Sequence, residues 1–224
     1  YHKKKEKTSS VTIDDDFLNV KGTIWDKAKR EYKAYCNTIL NRLVSHTCQR
    51  FKDLARVYVQ ENDWSKKRSL IATDVSSSLW EALNLLKMTV GSLSRFLNQK
   101  YVDKYWMAVC KRIHRNLYRG VIEKNTFSHG SGIQLDYDMR ALFNVFSGFT
   151  THPENFFKSI KEACIILSMP EEKFQRFKAH TMRLFNMIKD DKPLQLEDIN
   201  THLESYGLYK MRLSDVRDII EKRQ

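Results

Sequence analysis

The chain has 224 residues, of which 42% are hydrophobic and 12% aromatic, enough for a substantial core and well outside the composition of disordered chains. With only 7 Gly and 3 Pro, it is neither collagen-like nor linker sequence, and β-sandwiches and nucleotide-cradling loops are disfavoured. The net charge of +12 is uneven: residues 1–130 hold 25 Lys/Arg against 13 Asp/Glu, and residues 131–224 hold 14 against 14. The basic first part invites an anionic partner, but the solvated faces of long helices account for it more readily.

Residues 1–10, with Lys3, Lys4, Lys5 and Lys7, have no apolar period and read as a frayed tail. The chain opens on Tyr1 rather than Met, which reads as a piece of a longer protein. Between Thr23 and Val90 there is no Gly or Pro, and Trp25, Ala28, Tyr32, Tyr35, Ile39, Leu43, Phe51, Leu54 and Tyr58 recur at helical spacing. This pattern predicts a helix from about Asp16 to Glu61, roughly 70 Å long at 1.5 Å per residue. A turn is expected over Asn62–Ser69. A second helix starts near Asp74 and carries Leu79, Leu83, Leu86, Val90, Leu93 and Leu97, with Gly91 inside it as a close contact or bend.

A third helix spans about Lys100 to Lys124. Tyr105, Val109, Ile113 and Leu117 form its apolar stripe, and Lys104, Lys111, Arg115 and Arg119 lie opposite. This basic stripe is the clearest electrostatic feature of the sequence. Asn125–Gly132, with two Gly and two Ser, reads as a flexible break, giving a long-helix bundle over 1–128 and a short-helix bundle over 129–224.

Shorter helices follow. The first covers about Gln134–Gly148. Thr151-His-Pro-Glu154 and Ser168-Met-Pro-Glu171 then have the spacing of capping boxes, each with a proline early in its helix. Those helices place Phe156, Ile160, Cys164 and Leu167, then Phe174, Phe177, Leu184 and Ile188, in the core. Pro193 ends that region. A short helix with Leu196, Ile199 and Leu203 stops at Gly207, a left-handed cap, and a last helix from Ser214 buries Val216, Ile219 and Ile220. With no strand pattern, the fold class is all-α.

Catalytic constellations are missing from the sequence. The seven histidines are scattered without metal-ligand spacing, and His129-Gly-Ser-Gly132 follows no strand. His46 and Cys48 are two apart on one helix and face different ways. Asp14, Asp15 and Asp16, and likewise Asp136 and Asp138, read as carboxylates favouring helix N-termini. No enzyme, metal or cofactor is expected. Cys36, Cys48, Cys110 and Cys164 lack C-x-x-C spacing, and Cys36 and Cys48 on one helix are roughly 18 Å apart. They therefore read as buried thiols of a cytosol-facing protein. The longest uncharged run, Ala141–Pro153, is too short to span a bilayer.

Two stretches carry a resemblance. Gln134-Leu-Asp-Tyr-Asp-Met-Arg-Ala-Leu-Phe143 with Pro153-Glu-Asn-Phe-Phe-Lys-Ser-Ile-Lys-Glu-Ala-Cys-Ile-Ile-Leu167, and Gly207-Leu-Tyr-Lys with Leu213-Ser-Asp-Val216 and Ile219-Ile220, resemble the C-terminal region of the RINT/Tip family over about residues 133–223. The resemblance implies an elongated rod of long antiparallel helices, of the type found in exocyst, COG and GARP subunits. It implies a C-terminal leg of a subunit of the Dsl (NRZ) tethering complex, acting in Golgi-to-ER retrograde transport. That protein would sit peripherally at the cytoplasmic face of the endoplasmic reticulum, bind an ER SNARE N-terminal domain, and meet other tethering subunits through a part absent from this chain. The family offers no catalytic residue to carry over.

The candidate partner contacts read from the residues are Lys104, Lys111, Arg115 and Arg119, with Tyr206, Tyr209 and Met211 flanking the Gly207 turn. The competing reading is a nucleic-acid or anionic-lipid module that uses the basic helix 100–124. No helix-turn-helix, zinc or RNP-like motif accompanies the charge, so nucleic acid is not expected, and lipid contact is expected to be weak.

Overall fold

The computed structural model describes residues 24–61, 63–66, 71–190 and 196–224. The expected tail at Lys3–Lys7, the Asp14–Asp16 cluster and Pro193 lie outside these residues. Eight α-helices and no strand occur among the described residues: α1 Ile24–Leu54, α2 Ser77–Phe96, α3 Gln99–Leu117, α4 His129–Asn144, α5 Lys158–Leu167, α6 Glu171–Lys189, α7 Leu196–Ser205 and α8 Leu213–Lys222. The all-α class expected from the sequence is the observed one.

The chain divides into two compact units, residues 1–41 and 42–224. In the first, the described residues are the opening turns of α1, where Trp25, Tyr32 and Tyr35 are exposed and Leu40 is buried. In the second, the expected single helix to Glu61 stops at Leu54, and the chain goes on as a π-helical turn, Val57–Glu61. A matching π turn, Tyr118–Ile122, prolongs α3. π turns widen the backbone spiral by one residue and recur at functional sites.

The α3 stripe is the spine of the core: Tyr105, Val109, Ile113 and Leu117 are all buried. Trp106 packs edge-on to Phe156, with ring centroids 4.7 Å apart, and lies near Phe146 and Phe149. Trp64 fits between Tyr58 and Phe127, at 5.1 and 5.4 Å.

The segment expected to be a flexible break is ordered in two ways. Phe127 N–H donates to the Lys222 carbonyl at 2.7 Å, and Gln224 N–H donates to the Phe127 carbonyl at 2.9 Å, a short parallel bridge. Then α4 begins at His129, five residues earlier than expected, with Ser128 Oγ accepting from Ser131 N–H at 3.3 Å. Gly130, Ser131 and Gly132 are buried in that first turn. A Cβ at Gly132 would overlap the Leu167 backbone, so the glycine lets α4 and α5 pack at backbone distance. Gly91 does not make the expected close contact: a Cβ there meets nothing within 4 Å, and α2 runs through it.

Neither expected capping box forms. Thr151 lies outside a short 3₁₀ turn, Pro153–Phe156, whose cap position is His152, and α6 starts after Pro170 with no side-chain cap. Ser168 Oγ donates instead to the Cys164 carbonyl at 2.7 Å, closing the end of α5. The Gly207 cap does form. Its φ is +79°, with Leu208 N–H donating to the Leu203 carbonyl at 3.0 Å and Gly207 N–H to the Glu204 carbonyl at 2.9 Å, the Schellman pattern.

Buried charges tie the helices together. Asp138 lies deep within α4, not near its start as expected, and accepts from Ser76 N–H and Oγ at the head of α2. Glu162 on α5 is buried and accepts the N–H groups of Tyr209, Lys210 and Met211 at 2.8–3.1 Å. Arg223 is buried as well, donating to the Ile166 carbonyl at 3.1 Å and to Glu171 at 3.0 Å above the Phe174 ring. Of the apolar residues expected in the core, Ile188 is half exposed.

Candidate functional site

The basic stripe expected on α3 is exposed, and it does not act as one unit. Lys104 and Lys111 stand on open helix surface, and Lys104 Nζ lies 5.8 Å from the Tyr101 ring centre. Arg115 and Arg119 instead line a cleft of about 400 Å³, together with Arg112, Lys124 and Asn116. Lys52 of α1 supplies a further cation, and Val59 and Gln60 of the first π turn complete the wall.

Local geometry explains the cleft. Residues 112, 115, 116 and 119 follow the i, i+3, i+4, i+7 spacing of one helix face. The two π turns then bring α1 and α3 together at Gly120, where a Cβ would come within 2.5 Å of Val59 Cγ1. Any side chain at position 120 would wedge that contact open. Arg112 Nη1 donates to Ser45 Oγ at 2.6 Å, which fixes one guanidinium across the α1–α3 seam.

Among the described residues no acidic side chain lines the cleft. The side chains of Lys52, Arg115, Arg119 and Lys124 make no ion pair or hydrogen bond with another described residue. Five cations converge there with no described carboxylate among them, a local field that favours anions. Arg112 also touches the electrostatics of Cys48, whose thiol burial pushes up to about 11 against a lowering pull from the guanidinium. At neutral pH that thiol is protonated and a poor nucleophile. All four cysteines are free; Cys110 and Cys164 are buried, while Cys36 and Cys48 are partly exposed.

A second concave surface, of about 690 Å³, lies between α1 and α2. Leu43, Leu54, Trp80, Leu85, Met88 and Leu93 give it an apolar lining, and Trp80 and Met88 are 56% and 68% exposed. It is invisible in the main α2 stripe because it uses that helix's other side.

The aromatic turn at Gly207 divides three ways. Tyr209 is 68% exposed. Tyr206 is partly buried, its ring 4.7 Å from Phe177 and 5.4 Å from His202. Met211 corrects the expectation of an exposed side chain: it is buried, and Glu162 holds its N–H at 2.8 Å. It belongs to the packing beneath the turn.

Among the described residues no cluster of three or more His, Cys, Asp or Glu side chains could hold a metal ion, and no helix is long and apolar enough to cross a membrane.

An all-α bundle with one basic cleft and one apolar groove defines a class of helical interaction scaffold. Residues 1–223 match the RINT-1/TIP-1 family, and the chain belongs to it. Its fold is similar to that of a chain in the crystal structure of the SNARE Sec20 bound to the Dsl1 complex subunit Tip20, with a TM-score of 0.69 and 17% identity. The match covers 94% of this chain and 36% of that one, so this chain spans about a third of its structural relative.

Proposed function

We propose that this chain is part of a vesicle-tethering subunit in Golgi-to-ER retrograde transport, working peripherally at the cytoplasmic face of the endoplasmic reticulum as a non-catalytic scaffold for an ER SNARE. Family membership over residues 1–223, together with a fold similar to a structure in which a SNARE and a tethering subunit are bound, carries the reading. The mechanism is positional. A helical scaffold holds its partner near a target and raises effective concentration with no covalent step. Contacts to further subunits of a Dsl-type complex belong to the same reading.

The surface we assign to the SNARE is the apolar groove between α1 and α2. SNAREs are helical, and an amphipathic helix lays its apolar stripe into such a groove, anchored by large aromatic and thioether side chains. Trp80 and Met88 are those anchors. Lys104 and Lys111 steer an acidic partner at long range, a contribution that salt screens. Exposed Tyr209 is a further contact.

The test is capture of ER SNARE N-terminal domains at low and moderate salt, with duplex DNA as control. SNARE capture without DNA, lost on Trp80→Glu with Met88→Glu, supports the reading. DNA capture with no SNARE sinks it.

A further inference from the structure

We infer that the cleft between the two π turns is a binding site for a compact ligand bearing clustered phosphates, of the kind presented by a multiply phosphorylated inositol headgroup. This goes beyond the tethering reading and does not depend on it, because the cleft and the α1–α2 groove share no lining residue.

The first support is charge. Lys52, Arg112, Arg115, Arg119 and Lys124 reach one cleft from α1, α3, the second π turn and the residues just after it, with no carboxylate in its described lining. Basic residues on a solvated helix face normally alternate with acidic ones or point apart. Here they converge, and like charges brought together without a counter-ion repel one another, so the arrangement is relieved when a polyanion enters. Three of the five are arginines, whose planar forks match phosphate oxygens in pairs. Asn116 and Gln60 add neutral amide donors able to reach hydroxyls or ester oxygens.

The second support is shape. A volume of about 400 Å³ falls within the range of small-ligand sites, roughly 300–1,000 Å³. An acidic peptide helix would need an apolar track for its anchors, and Val59 is the one large apolar side chain in the described lining. A nucleic-acid strand needs stacking platforms, and the described lining contains no aromatic ring. The walls are also fixed in place, by the Gly120–Val59 approach and by the Arg112–Ser45 hydrogen bond.

The geometry makes a distinction that composition cannot. Lys104 and Lys111 carry the same charge on the same helix and lie outside the cleft. Calorimetric titration with inositol hexakisphosphate, and co-sedimentation with phosphatidylcholine vesicles holding a few mole per cent phosphatidylinositol bisphosphate, test the site in its soluble and membrane forms. Saturable binding in either arm is expected. Arg115→Gln with Arg119→Gln should weaken it by about tenfold or more, whereas Lys104→Gln with Lys111→Gln should leave it within about twofold. Lys52→Gln with Lys124→Gln, on the other walls, provides a second cleft variant, and an unchanged melting temperature shows that each variant is folded. Binding to the free inositol phosphate alone identifies a soluble ligand; binding in both arms identifies a headgroup in a membrane. Equal losses from the cleft and the Lys104/Lys111 variants, tighter binding of a single-stranded oligonucleotide, or no saturable binding to either probe would overturn the inference.

Discussion

Asp138, in the interior of α4, accepts two hydrogen bonds from Ser76, from its N–H at 2.8 Å and its hydroxyl at 2.6 Å. Ser76 is the N-cap residue of α2 but makes no cap bond with its own side chain. A carboxylate from a distant helix does that work, and it lies where the α2 macrodipole favours negative charge. Burial pushes the Asp138 carboxyl above its usual range, opposed by bonds from Ser76, Gln134 and Tyr58. Asp138→Ala is expected to cost about 2–3 kcal/mol, read from the urea midpoint. Asp138→Asn should cost less, because the amide oxygen still accepts from Ser76 and no charge is buried.

Glu162 plays the same part for the 209–211 loop, where its two oxygens accept three successive N–H groups. Glu162→Gln replaces one acceptor by an NH₂ group facing N–H donors. A loss of about 3 kcal/mol is expected. Amide exchange at Tyr209, Lys210 and Met211 should accelerate more than exchange in α4, which separates a local release from general destabilisation.

His202 sets a pH dependence. Burial, and then the charge of neighbouring His180, lower its pKa to about 4, while Thr181 Oγ1 shares a hydrogen bond with its ring at 3.0 Å. The unfolded imidazole titrates near 6.5. Between those values the unfolded chain binds the extra proton, so this contribution to stability is complete above about 6.5 and is lost as pH falls toward about 4. Urea midpoints measured across that window should fall more steeply in the wild type than in His202→Phe. Parallel curves would show that His202 is not the source.

Two glycines predict opposite outcomes for the same change. Gly132→Ala drives a methyl group into the Leu167 backbone, which cannot swing aside as a side chain can, so a loss of several kcal/mol is expected. Gly91→Ala meets open space within α2 and should gain up to about 1 kcal/mol from helix propensity. Thermal melts of the two variants should shift in opposite directions.

Helical period and the α3 core stripe were legible in the sequence because burial leaves a spacing of three and four, and Tyr105, Val109, Ile113 and Leu117 keep it without interruption. The Gly207 cap was legible because left-handed backbone has a strong residue preference. Asn125–Gly132 misleads because the same small residues that loosen a loop also permit close helix contact, and only the partner, Leu167, distinguishes the two. The capping boxes mislead because Ser168 bonds backward to Cys164 as readily as forward. Arg115 and Arg119 could be read from α3 alone. Lys52 could not, since it comes from another helix, α1, far earlier in the chain, and neither could the π turns. Arg112 was within reach: it falls on the 112, 115, 116, 119 face, which the 104, 111, 115, 119 stripe crosses at an angle.

The parallel bridge from Phe127 to Lys222 and Gln224 also orders events during synthesis. The Phe127 ring lies tilted against Trp64, so the contact joins three stretches that leave the ribosome far apart in time. Until residues 222–224 have emerged, the Phe127 backbone lacks its hydrogen-bond partners, and Ile166 and Glu171 lack the Arg223 guanidinium. A nascent chain stalled near residue 210 has the residues of the α4–α5 contact and is still open at this seam. The unit from 42 to 224 is therefore closed by α8, and a holding chaperone can engage the surface that α8 covers until that helix docks.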